Sequence, residues 1–200
     1  MSGLVLLVGL VLGGALLLGT AGQLGADAVA KMRATLLHSS TAQSLGIVLA
    51  PTDADTNKRI DTAAAVAVVV LALMRQRYPH AAVTSGYRTL ELTQALIAAG
   101  FAADPKSRHM TGLSFDIDVA DDEVIPAAQW LRASLSSLPD ELRPAQVIAE
   151  VYRSHVHIDV FDPLGKIPPS AGTATAWVKR NAPGAAPEYV ALAATTEAVA

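Results

Sequence analysis

Hydrophobic and polar positions divide the chain into segments with different periods. Residues 4–18 are an almost unbroken apolar run, and no charged side chain occurs from 1 to 21. A membrane span needs about 20 apolar residues, so the run is just long enough to be one. The small residues at 19–22 also suit a signal-peptide cleavage zone, although no basic stretch precedes the apolar core. Residues 1–22 are therefore expected to be a signal peptide or membrane anchor, with membrane contact only through residues 4–21. Either reading puts the folded part outside the cytoplasmic membrane, secreted or anchored to its outer face.

Beyond that run the period shortens to helices and strands. Residues 23–59 read as a linker or N-terminal helical segment, with a short strand at 47–50 and a polar turn at 51–57. Asp61 and Thr62 can cap a helix over 61–77, because their side chains accept the first free backbone N–H groups. Tyr78-Pro79 ends it. A strand at 81–84 precedes a helix over 90–99, which Gly100 closes. After a loop at 101–108, Phe115, Ile117 and Val119 alternate with Ser114, Asp116 and Asp118, which predicts a strand over 113–119. A helix over 126–137 follows. Two β-like runs, 145–152 and 155–161, flank Arg153-Ser154 as a hairpin. Residues 166–200 are rich in Pro and Ala and read as a tail, with Trp177-Val178 touching back on the domain. The core, 60–165, is expected to be α+β: a small antiparallel sheet packed with helices.

Composition removes several alternatives. The chain has 200 residues, 52% of them hydrophobic and 16% charged, with a formal net charge of −3. No basic cluster suggests nucleic-acid binding. With no cysteine, disulfide frameworks, thiolate metal sites and thiol catalysis are all excluded.

The polar faces of the strands carry the chemistry. In His155-Val156-His157-Ile158-Asp159-Val160 the aliphatic residues take one face, so His155, His157 and Asp159 share the other. The same parity sets Asp116 and Asp118 opposite Phe115 and Ile117. His109 precedes that strand by a turn containing Gly112, which lets the loop fold back toward Asp116. Either motif alone also describes a solvated strand face. Together they offer imidazoles and a carboxylate to one ion, with a fourth position left open, as in catalytic zinc sites.

Ser107-x-His109-x-x-Gly112-x-x-x-Asp116, followed by His155-x-His157, resembles the zinc D-Ala-D-Ala carboxypeptidases and peptidoglycan endopeptidases. Their superfamily includes the hedgehog signalling domain. Ser85-Gly86-Tyr87-Arg88 is similar to the Ser-Gly-Tyr-Arg element of that group, and the likeness covers about residues 60–162. It implies a hedgehog/D-Ala-D-Ala-peptidase-like fold and Zn2+ held by His109, Asp116 and His157. It also implies substrate contacts from Ser107, Tyr87 and Arg88, with Arg88 binding a carboxylate or stabilising an oxyanion. Asp118 and Asp159 are candidates to orient the imidazoles.

The chain departs from the group at Ser154. Many members carry Glu or Asp there as the general base, and a serine cannot do that work alone. His155, on the face of His157, is one substitute, and Glu150 or Tyr152 across the hairpin is another. The implied activity is zinc-dependent hydrolysis of amide bonds in peptidoglycan peptides, by a bacterium on its own wall or by a phage lysin. The alternative is a catalytically silent zinc-binding domain that serves as a cell-wall binding module.

Overall fold

The computed structural model describes residues 18–100, 103–104, 106–169, 176–180 and 188–191. Five helices and six strands are found among them: α1 (Leu18–Leu36), α2 (Ser40–Ser44), α3 (Ala54–Met74), β1 (Ala82–Ser85), α4 (Leu90–Ala98), β2 (Ser114–Asp118), α5 (Val124–Ser134), β3 (Pro144–Glu150), β4 (His155–Val160), β5 (Ala176–Arg180) and β6 (Glu188–Ala191). The class is α+β. The strands form one sheet in the order β1-β2-β4-β3-β5-β6. All neighbours are antiparallel except β3 and β5.

Strand parity builds the core. Phe115 and Ile117 of β2, Val147 and Ala149 of β3, and Val156, Ile158 and Val160 of β4 are buried together with residues of α3 and α5. α3 brings Ala63, Ala64, Val66, Ala67, Val69 and Val70 to this core. Its β-branched valines lower intrinsic helix propensity by a few tenths of a kcal/mol each, which burial outweighs several-fold. The opposite sheet face carries Asp116, His155, His157 and Asp159. A second cluster, Ala42, Leu49 and Leu92, with Ile47, Tyr87 and Leu96 against it, joins α2 to α4.

Several boundaries differ from expectation. α3 begins at Ala54, seven residues before the expected start, because the Asp53 side chain accepts from Thr56 N at 2.7 Å. Asp61 instead accepts from Arg33 Nε at 2.7 Å and ties α3 to α1. Residues 47–50 form no strand: Ile47 N bonds back to Ala42 O at 2.8 Å, which turns the segment toward the second cluster. The 23–59 stretch is helical over most of its first half, and Leu36 at the end of α1 lies in the main core. The 166–200 stretch contributes β5 and β6, so it is more than a loose tail.

Of the apolar N-terminal run, residues 4–17 lie outside the described residues. Among the described residues no helix is long and apolar enough to cross a membrane.

Candidate metal centre

Register brings two of the candidate ligands side by side. In the β2–β4 ladder Asp116 pairs directly with His157, and both project from the polar face. His109 arrives on a 3-10 turn, Arg108–Thr111, which Gly112 closes with φ 77°. A Cβ at Gly112 would also stand 2.6 Å from Ile60 Cγ1, so glycine lets this loop seat on α3.

Three donor atoms meet there. His109 Nε2 is 3.2 Å from Asp116 Oδ1 and 3.3 Å from His157 Nδ1, and His157 Nδ1 is 2.8 Å from the same Oδ1. The rings of His109 and His157 are tilted, with centroids 5.0 Å apart. His109 Nδ1 is 2.6 Å from Gly86 O. A carbonyl oxygen can only accept, so Nδ1 carries the proton and Nε2 turns its lone pair inward. His157 turns Nδ1 to the cluster and Nε2 to Asp159 Oδ1 at 3.0 Å. The buried His109, Asp116 and His157 group could hold a metal ion.

Electrostatics suit that use at His109 and Asp116. Burial, the strongest influence on His109, pulls it below the usual imidazole range and favours the neutral ring. Burial alone would raise the Asp116 carboxyl, but His109, His155 and His157 outweigh it and hold the group well below the ordinary carboxylate value. Burial would likewise lower His157, yet Asp159 and Asp116 raise it well above the ordinary value. Burial of His155 is outweighed by Asp116 and Glu150, and its pKa is raised. An ionised carboxylate and a neutral imidazole are the ligand-competent forms of Asp116 and His109.

The donors lie on the wall of a small open cleft, also lined by Arg88, Asp104, Ser107, Glu150, Arg153 and His155. Arg88 donates to Asp116 Oδ2 at 3.1 Å and to Ser85 Oγ at 2.8 Å, so part of its fork is committed to Asp116. The Ser107 hydroxyl accepts from His109 N at 3.3 Å and caps the ligand turn. Glu150 pairs with His155 in the β3–β4 ladder, and its Oε2 is 3.0 Å from His155 Nε2. The backbone of Tyr152 lies in the 3-10 turn Val151–Arg153. Tyr87, expected beside the substrate, packs instead on the Ala42, Leu49 and Leu92 cluster and is not a lining residue. Of the two strand carboxylates, Asp159 reaches an imidazole, whereas Asp118 accepts from Thr84 Oγ1 at 2.7 Å and is exposed.

Sequence reading missed three contributors. The Gly86 carbonyl leaves no trace in side-chain chemistry. Asp104 reaches the cleft from a loop and Arg153 from the 3-10 turn before β4, neither with a recognisable pattern. Comparison with known proteins adds nothing to the geometry: no family model, curated protein or solved structure matches the chain.

Proposed function

We propose that the chain is a zinc-dependent metallopeptidase that hydrolyses amide bonds in peptidoglycan stem peptides or cross-links, on a fold like that of the zinc D-Ala-D-Ala peptidases and the hedgehog domain. The observation that carries this reading is the convergence of His109 Nε2, Asp116 Oδ1 and His157 Nδ1 on a cleft wall. Bonds of about 2.0–2.2 Å at tetrahedral angles would set such donors about 3.3–3.6 Å apart. The separations of 3.2 and 3.3 Å lie within about a tenth of an ångström of that spacing, and the Asp116–His157 separation of 2.8 Å is about half an ångström short of it. Two nitrogens and one oxygen also match the donors zinc accepts, and the cleft leaves one side open. The uncharged stretch at 4–21 supports an exported protein.

When bound, the ion supplies Lewis acidity, acidifying water and polarising a carbonyl. The chain supplies the proton handling. His155 Nδ1 is 3.2 Å from Arg153 O, to which it donates, so the Nε2–Glu150 bond contains a single proton whichever partner holds it. Nε2 also lies 3.6 Å from Asp116 Oδ1, facing the ligand cluster. In this reading Glu150 and His155 act as one proton store and take over the role that Ser154 cannot fill. Arg88, anchored on Asp116 Oδ2, presents its remaining donors to a peptide carbonyl or carboxylate, and Ser107 lines the same cleft.

The test combines zinc content with peptide release from purified peptidoglycan. Wild type is expected to carry stoichiometric zinc and to release peptide. Asp116→Ala should lose both. His155→Ala should keep its zinc and lose about 10²–10⁴ in rate. Zinc without hydrolysis in the wild type would instead support a silent cell-wall binding module, a reading that the serine at 154 favours. A wild type that takes up no zinc sinks both readings.

A further inference from the structure

The His157 ring lies between two carboxylates. Asp116 Oδ1 is 2.8 Å from Nδ1, and Asp159 Oδ1 is 3.0 Å from Nε2. To bind an ion the imidazole must be neutral, with one N–H and one lone pair, and the stronger acceptor decides which nitrogen is bare. If Asp116 drew the proton to Nδ1, the nitrogen that faces His109 and Asp116 would be blocked.

The surroundings of the two carboxylates break this tie. Asp116 gives Oδ2 to Arg88, and its Oδ1 faces the bare Nε2 of His109 at 3.2 Å, so an ion held there would occupy that Oδ1 and leave Asp159 as the acceptor for the ring's proton. Asp159 is 2% exposed and is fixed from two sides. Ser114, its partner in the β2–β4 ladder, donates its hydroxyl to Oδ1. Arg108 Nε lies 3.5 Å from Oδ2 and is buried with no hydrogen-bond partner among the described residues. Two carbonyls hold that guanidinium in place, Val160 O and Pro168 O, each at 2.8 Å. Arg108 immediately precedes His109, so one side chain ties the first ligand's turn to the carboxylate that contacts the last ligand.

We infer that Asp159 is a positioning residue of the metal centre: supported by Ser114 and Arg108, it keeps the proton of His157 on Nε2 and commits Nδ1 to the ion. The inference rests on the metal-binding reading above. A carboxylate on the far nitrogen also makes an imidazole a stronger donor, and losing such a partner costs about 10–100-fold in metal affinity. An ion pair that merely held β4 to the ligand turn would have no effect on which nitrogen binds.

The experiment uses the full chain, with Asp159→Asn, Asp159→Ala and Ser114→Ala variants. Zinc affinity is measured by competition with a chromogenic chelator. Long-range ¹H–¹⁵N NMR of the zinc-loaded proteins identifies the bound nitrogen of each histidine. In the wild type, His157 should bind through Nδ1 and show a slowly exchanging Nε2 proton. Asp159→Asn keeps the shape of the residue and should lose about 10–100-fold in affinity together with the slow exchange. Ser114→Ala should weaken binding less. The inference is overturned if His157 binds through Nε2 in the wild type, or if Asp159→Asn holds zinc within twofold of it. If Asp159→Ala does not fold, the Asn variant decides the matter alone. A wild type without zinc overturns the metal reading and this inference together. A zinc-binding wild type with unaffected variants overturns this inference only.

Discussion

Gly86 joins a helix end to the candidate metal centre. Its carbonyl receives the Nδ1 proton of His109, while Leu36 O accepts from Tyr87 N at 2.8 Å on the other side. A Cβ at Gly86 would stand 2.5 Å from Leu36 O and 2.6 Å from Leu36 Cα, both backbone atoms that cannot swing away. Gly86→Ala is therefore expected to lower stability by about 1–3 kcal/mol in urea titrations. On the proposed zinc reading it should also weaken metal binding, because the carbonyl that orients His109 moves with the clash. The sequence shows Gly86 only as part of a motif, since nothing local says that residue 36 faces it. Strand parity and a glycine turn act locally and put the candidate ligands within reach of one another, and the resemblance picked His109, Asp116 and His157 from among them. The different placements of Asp118 and Asp159 were not, because the choice depends on which side chain stands across the ladder. The packing of Tyr87 was hidden for a related reason: its neighbours Ala42 and Leu49 lie far away in sequence.

At the scale of elements, the β3–β4 connection sets how Glu150 meets His155. It consists of the 3-10 turn Val151–Arg153 and Ser154, which takes the left-handed conformation at φ 58°. That conformation costs a non-glycine residue about 1–2 kcal/mol. Ser154→Gly should raise stability by about 0.5–1 kcal/mol after the added freedom of the unfolded chain is subtracted, as chemical denaturation would show. Zinc content should not change, since the backbone path stays the same. The sequence indicated a hairpin here, but a two-residue link does not bring Glu150 level with His155. The added 3-10 turn does. The start of α3 was misplaced because Asp53 and Asp61 are equally good caps. Only the Arg33 contact, made across the α1–α3 packing, assigns the second one another task.

Across the whole molecule, Asp162 fastens the segment after β4 to α3. It accepts from Arg59 Nε at 3.1 Å and from the backbone N–H groups of Leu164, Lys166 and Ile167. Burial would raise its pKa, but these donors outweigh that and bring it down to about 2. A depressed carboxylate contributes stability that is complete above the unfolded-state value and is lost as pH falls through the folded one. Wild-type stability should therefore decline between about pH 4 and pH 2. Asp162→Asn should cost about 3 kcal/mol at pH 7, because Arg59 then faces a neutral group. The gap should close near pH 2 in urea titrations run across that range. The α+β class was readable from alternation and helical period within 60–165. β5 was hidden because parallel pairing with β3 leaves no local signature. A last consequence follows from the direct pairing of Asp116 with His157 across 41 residues of sequence. A slip of one residue between β2 and β4 would turn the imidazole to the opposite face of the sheet. Ion capture during refolding would therefore time a single event, the moment when these two distant strands close in the correct alignment.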